Sequence, residues 1–279
     1  MKILVTGAKG QLGQEISRQM DADQQLILTD IDNLDITNQD KVRSVFQEVK
    51  PQAVIHCAAY TNVDGAEQDF DGAYKVNVIG SQNLASQCLE HHARMVYIST
   101  DYVFDGQGTR PYREFDPTNP LSVYGKTKLY GENIIREILG RHYIVRTSWL
   151  YGDGHNFVRT MLRLAKEKKQ LRVVSDQIGS PTNSKDLVWA IRQLLLTDAY
   201  GVYHGSGNGA CSWYEFAVKI FAFAGVNIAV EPITTGEYLL PATRPAYSVM
   251  ENYMLKMAQG DPFRLWEEAL EDYLCDLNS

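Results

Sequence analysis

Tyr124 and Lys128, in the run YGKTK, are the residues of this chain whose types and spacing best suit acid chemistry. On a helix, positions i and i+4 share one face, so both side chains reach one site. An ammonium beside a phenol stabilises the phenolate and lowers the tyrosine pKa. Tyr124 then serves as proton donor to a carbonyl being reduced, and Lys128 can also hold a nicotinamide ribose. Upstream, VYISTDY ends a strand-like run in two hydroxyls, Ser99 and Thr100. Either can bond a substrate carbonyl, but only alternate residues of a strand share a face.

A second group of residues provides for the hydride source. Gly7, Gly10 and Gly13 in TGAKGQLG follow G-x-x-G-x-x-G between a strand and a helix. Gly7 permits a tight turn, Gly10 lets backbone N–H groups approach a pyrophosphate, and Gly13 lets the helix pack near the sheet. The helix N-terminus adds a favourable dipole for anions. Asp30 follows Gly13 by 17 residues and ends the second strand. An acid there accepts hydrogen bonds from an adenosine ribose and favours NAD over NADP. Lys9 can offset a 2′-phosphate, so both NADPH and NADH are expected to serve. Asp35 and Ile36 follow, placed to flank an adenine.

Positioning these residues takes a particular order of elements. Strand-like runs at 2–6, 25–29, 53–57, 95–100 and 143–147 are rich in Val, Ile and Leu with little polar alternation. That pattern suits strands buried on both faces of a parallel sheet. Helical patterns lie between them at 12–20, 38–49, 72–91 and 123–139, with Asn38 as an N-cap. The later chain predicts helices at 156–169, 184–196, 212–225 and 263–277, and strands at 171–175 and 202–205. Pro and Gly concentrate in 105–120 and 231–245, which read as mobile or ligand-facing loops. The fold class is α/β: a Rossmann-type doubly wound parallel sheet with a smaller mixed α/β C-terminal substrate lobe. Residues 1–150 form the dinucleotide-binding domain, with later returns near 171–206, and residues 151–279 form mainly the substrate lobe.

Composition bounds the partners. The chain of 279 residues has 34 acidic and 27 basic side chains, a formal charge of -7. That argues against nucleic acid or an anionic membrane as partner, although a small anionic ligand answers only to local charge. No apolar run approaches the ~20 residues that span a bilayer. Cys57, Cys88, Cys211 and Cys275 are widely spaced and read as thiols of a reducing compartment. The expected location is cytoplasmic. The six histidines show no metal-ligand spacing.

The glycine turn, the Tyr124/Lys128 pair and STDYVFDG together resemble the extended short-chain dehydrogenase/reductases. VIHCAAYTNVDGAEQD, NPLSVYGKTKLYGE, RTSWLYG and DQIGSPT narrow the resemblance to the dTDP-4-dehydrorhamnose reductase family. Arg244-Pro245 extends the match into the C-terminal lobe. The resemblance implies NAD(P)H-dependent reduction of the 4-keto group of dTDP-4-dehydro-L-rhamnose, the last step to dTDP-L-rhamnose for a cell-surface polysaccharide. It gives Thr100 the hydroxyl role, Tyr124 that of the acid, and Lys128 that of cofactor holder. Asp101 would lie beside the sugar and Trp149 against its ring. Gly10, Gln11 and Leu12 would cover the pyrophosphate, with Ala58, Ala59, Tyr60 and Thr61 near the cofactor's centre. Asn77 would support the lysine. Arg244 can pair with the substrate pyrophosphate, since guanidinium matches phosphate bidentately. Some family members form homodimers through a magnesium-bridged glutamate cluster. Glu15 lies where one such acid stands, but the rest of the cluster is not matched, so metal and dimer stay open. An epimerase or dehydratase of the same extended family is the rival enzyme, and a catalytically silent regulatory subunit the rival of another class. The dehydratases' Asp-Glu pair after the catalytic hydroxyl is replaced here by Asp101-Tyr102.

Overall fold

The computed structural model describes residues 1–20 and 24–278. The chain starts with strand β1 (Lys2–Thr6), helix α1 (Gln11–Gln19), β2 (Gln25–Thr29), α2 (Gln39–Val49) and β3 (Ala53–His56). Further on come β4 (Arg94–Thr100), the helix Val123–Ile138 and β5 (His142–Thr147). Six strands, all parallel, make the central sheet in the order Gly201–His204, β5, β4, β3, β1, β2. The order reverses between β1 and β3. In such sheets the crevice beyond the carboxyl ends at the reversal is where ligands bind.

Alternation along β1 divides the interior in two. Ile3 and Val5 join a core with Ile16, Ile55, Leu187 and Ile191, while Leu4 joins one with Phe46, Val54, Leu84 and Ile144. One face of the sheet therefore carries α1 and Ser184–Leu195, and the other carries α2 and Ser81–Glu90. All of β3 is buried, as a strand covered on both faces requires. Asn38 caps α2 as expected, its side chain accepting from the Lys41 N–H.

A third core joins Tyr151, Val158, Leu171, Phe216, Trp266 and Leu270 from the later chain. Here strand Gln170–Val174 pairs with Ala229–Ile233 and stays out of the central sheet, while Gly201–His204 returns to it. Residues 231–233, expected in a loop, thus belong to a strand. The 105–120 segment is irregular yet held, with Phe104 stacked on Tyr112 at 4.1 Å and Tyr112 bridged to Met250.

The helix expected over 72–91 is interrupted. Phe70–Tyr74 passes through a π-helical turn, Lys75–Gly80, into Ser81–Glu90. Gly80 lies against Ile36, where a Cβ would come within 2.6 Å of the isoleucine Cδ1. The wider turn lets the chain meet that side chain while Asn77 turns inward to a backbone partner. No helix among the described residues is long and apolar enough to cross a membrane.

Candidate active site

A cleft of about 980 Å³ opens over the carboxyl ends of β1 to β5. Its first wall is the glycine turn. Gly7 holds φ +67°, and a Cβ there would lie 2.6 Å from the Ala58 nitrogen. A Cβ on Gly13 would lie 2.4 Å from the Gly7 carbonyl oxygen, so α1 approaches the strand end only because position 13 has no side chain. Gly10 is the N-cap of α1 and offers no side-chain cap. The first N–H groups of the helix therefore keep their donors for a ligand. Gln11 and Leu12 line the cleft beside them. This cradle fits a dinucleotide pyrophosphate.

Asp30, Asp35 and Ile36 line the same wall. Asp30 braces the glycine turn, accepting from the Lys9 N–H at 2.8 Å and the Ile31 N–H at 2.8 Å. Lys9, read as a counter-charge for a 2′-phosphate, pairs with Asp32 at 2.8 Å. Asp35 accepts from the Thr37 hydroxyl at 2.8 Å, which holds its carboxyl below the usual range. Ala58, Ala59, Tyr60 and Thr61 continue the wall after β3. Asn77 stands behind it, fully buried and absent from the cleft lining. Its side chain accepts from the Tyr60 N–H at 2.9 Å and donates to the Thr127 hydroxyl at 3.0 Å. It thus joins the Tyr60 loop to the helix that carries Lys128.

That helix begins at the Ser122 cap, whose side chain accepts from the Gly125 N–H. Gly125 and Gly131 let it settle deeply: a Cβ would lie 2.2 Å from the Tyr102 carbonyl oxygen at one and 2.4 Å from the Tyr97 hydroxyl at the other. Tyr124 and Lys128 both face the cleft. Burial pushes the Tyr124 phenol up to about 12, with the Thr100 hydroxyl acting against it. The sequence pattern pointed to a phenol lowered by the lysine; burial raises it instead and keeps Tyr124 protonated. Lys128 is pushed down to about 7 by burial, with Glu132 acting the other way. Its Nζ lies 4.0 Å from the centre of the Tyr97 ring.

The two hydroxyls on β4 part company. Ser99 donates to Glu132 at 2.5 Å, and Glu132 forms a two-pronged pair with Arg146 at 2.9 and 2.8 Å. Ser99 is thereby committed to this buried pair. Thr100 keeps its hydroxyl by Tyr124 and donates to Asp101 at 3.0 Å. Burial raises the Asp101 carboxyl to about 6, while the Ser248 and Thr100 hydroxyls pull it down.

Trp149 faces the cleft in a left-handed backbone conformation, φ +45°. Such strain in a side chain of this size gathers at binding sites. Trp213 stacks on it, centroids 3.5 Å apart and planes 10° from parallel, so one indole face is already covered. Trp213, His155 and Thr147 also line the cleft and were not singled out from the sequence. Trp213 opens a helix behind the Ser212/Glu215 capping box. That box marks a helix start and carries no signal of a cleft. Arg244 is absent from the lining. Both arms of its guanidinium reach Asp64, at 3.1 and 2.8 Å. Glu15 is buried beside Gln19 and Arg18, and no group of three or more His, Cys, Asp or Glu among the described residues is placed to hold a metal ion.

A family model described as RmlD substrate binding domain matches residues 1–279. The chain belongs to this family. Its relatives include the spore coat polysaccharide biosynthesis protein SpsK of Bacillus subtilis, 47% identical over 100% of this chain and 98% of the relative. Another, a dTDP-4-dehydrorhamnose reductase of Aggregatibacter actinomycetemcomitans, is 41% identical over 97% of each. Among solved structures, a dTDP-4-dehydrorhamnose reductase from Clostridium acetobutylicum is 50% identical with a TM-score of 0.99 over 100% of both chains. The dTDP-4-dehydrorhamnose reductase from Bacillus anthracis, in complex with NADP, is 44% identical with a TM-score of 0.97 over 99% of both.

Proposed function

We propose that the chain reduces the 4-keto group of dTDP-4-dehydro-L-rhamnose to give dTDP-L-rhamnose. The observation that carries this reading is the convergence of Thr100, Tyr124 and Lys128 on the cleft that the glycine turn opens, in a chain of this family. A reduced nicotinamide cofactor supplies the hydride when bound. Gly7, Gly10, Gln11, Leu12 and Gly13 hold its pyrophosphate through backbone donors. Asp30, Asp35 and Ile36 border the adenosine side, and Ala58 to Thr61 border its centre. Asn77 acts at one remove, by fixing Tyr60 and Thr127.

Negative charge builds on the C4 oxygen as the carbonyl is reduced. Donors fixed in advance at that oxygen stabilise it without reorganisation. Tyr124 is such a donor and gives up its proton, and Thr100 joins it by turning its hydroxyl from Asp101. A phenol held near 12 is fully protonated at neutral pH and ready to donate. Lys128 steadies the phenolate that remains and bonds the cofactor ribose. Asp101 and the Trp149–Trp213 pair hold the sugar. Arg244, engaged by Asp64, reaches the substrate pyrophosphate only by leaving that pair.

We place the reaction in the cytoplasm and the division between dinucleotide domain and substrate lobe near residue 150, with Gly201–His204 as a return. Either cofactor serves in this reading, since Asp30 disfavours the 2′-phosphate and Lys9 favours it once it leaves Asp32. The test is a coupled assay. dTDP-4-keto-6-deoxyglucose is supplied with and without the 3,5-epimerase, and oxidation of NADPH and NADH is followed separately. Turnover that requires the epimerase and consumes one reduced cofactor per product supports the proposal. Equal turnover without the epimerase removes the named substrate, and conversion with no net oxidation points to an epimerase.

A further inference from the structure

A second cavity, of about 440 Å³, lies at the opposite pole of the sheet, where Arg94 begins β4. The seven residues of β4 put about 20 Å between it and Thr100. Lys50, His91, His92, Arg94 and Arg141 line it, with Gln52 and no carboxylate. In a chain of formal charge -7 this is a local inversion.

Part of this charge has an ordinary explanation. α2 and Ser81–Glu90 both end here, Lys50 and His92 taking left-handed conformations after them at φ 48° and 56°. Each helix C-terminus presents about half a negative charge. Together they balance about one cation. Asp198, 3.5 Å from Arg94, answers to a second. Three permanent cations, Lys50, Arg94 and Arg141, therefore leave a surplus of about one. Lys50 has no hydrogen bond or ion pair from its amine among the described residues. Arg94 donates through Nη1 to the Leu195 and Thr197 carbonyls at 3.0 and 2.9 Å, which fixes its guanidinium at the rim. Arg141 donates to the His92 carbonyl at 3.3 Å. The His91 Nε2 is buried and lacks a protein partner. An unengaged lysine, a guanidinium at the rim and a concave site of small-molecule size are what a phosphoryl ligand needs.

We propose that this cavity binds a diphosphate, either free or as part of a nucleotide, independently of the main cleft. A volume of about 440 Å³ has room for two phosphoryl groups, with the Lys50 amine and the Arg141 guanidinium at hand to meet them.

The test is titration calorimetry of pyrophosphate into the full chain, with saturating NADPH present and ionic strength held constant. One pyrophosphate should bind per chain, at least tenfold tighter than orthophosphate. The double variant Lys50→Gly, Arg141→Gln should weaken it at least tenfold with melting temperature and reductase kcat/KM unchanged. Glycine accepts the left-handed backbone at position 50, so the fold is spared. An ADP titration separates the sources: tighter binding than pyrophosphate assigns a nucleoside diphosphate, and weaker binding assigns the free anion. Absence of binding, equal affinity for orthophosphate, or unchanged affinity in the double variant overturns the proposal. So does loss of all binding once NADPH is present, which would put the anion in the main cleft.

Discussion

The two walls of the main cleft are built from different materials. On the glycine-turn side, the ends of the first three strands bring segments 7–13, 30–36 and 57–61 to the cleft around three glycines. On the other side, Trp149, His155 and Trp213 meet it with large side chains gathered from separate parts of the chain. Between them the Val123–Ile138 helix carries the reacting pair. The first wall needs only local geometry, since a missing Cβ and a free helix end do the work. The second exists only after long-range packing has brought two indoles together.

The largest effect should come from the helix between the walls. Tyr124→Phe should lower kcat by about 10²- to 10⁴-fold, the usual worth of a positioned acid. Cofactor affinity, read by fluorescence titration, should be nearly unchanged. Turnover close to wild type would remove Tyr124 as the acid.

Glu132→Gln tests what holds that helix in place. Arg146 is 2% exposed and Glu132 0%, so the variant leaves a buried guanidinium without its counter-charge. A loss of about 3–5 kcal/mol in chemical denaturation is expected.

Trp213→Ala should divide the walls. The sugar KM should rise about tenfold while the cofactor KM holds, because Trp213 packs on Trp149, Phe157 and Phe216, away from the glycine turn. Equal increases in both would mean that the walls are not separate.

The smallest effect on stability concerns Lys128. Its folded-state value of about 7 lies below the ordinary 10.5. Between these values the unfolded chain binds the proton and the folded chain does not, so stability rises with pH across that window. Below about pH 7 the folded protein carries the full cost of the buried ammonium. Lys128→Met should remove this slope and raise the melting temperature at pH 7 by roughly 2–4 °C while abolishing activity. An unchanged slope, read from melts between pH 7 and 10, would mean that the amine is solvated.

Much of the first wall was legible in the sequence because its requirements are local. Gly7, Gly10 and Gly13 announce a turn, a close approach and a packed helix by residue type alone. Tyr124 and Lys128 were legible through helical spacing. Ser99 and Thr100 were not separable until Glu132 took up the serine. Trp213 gave no sign, since stacking on Trp149 depends on a left-handed backbone at 149 and on Gly179, where a Cβ would lie 2.5 Å from the Trp149 ring. Arg244 was ambiguous for the opposite reason: a guanidinium suits phosphate and carboxylate alike, and Asp64 lies 180 residues away in the chain. Strand Ala229–Ile233 was hidden by Pro232, which fits a short two-stranded pair better than a central strand.

The π-helical turn at Lys75–Gly80 has a consequence in chain length. Such a turn holds one residue more than the helix on either side of it requires. Deleting Val76 would let the flanking segments keep their seats and close into a regular, better bonded rod. Asn77 would swing by about 100° around the axis, away from Tyr60 and Thr127. The shortened protein would be a sturdier scaffold with a misaligned site: here one surplus residue trades helical regularity for registration of the loop against the lysine's helix.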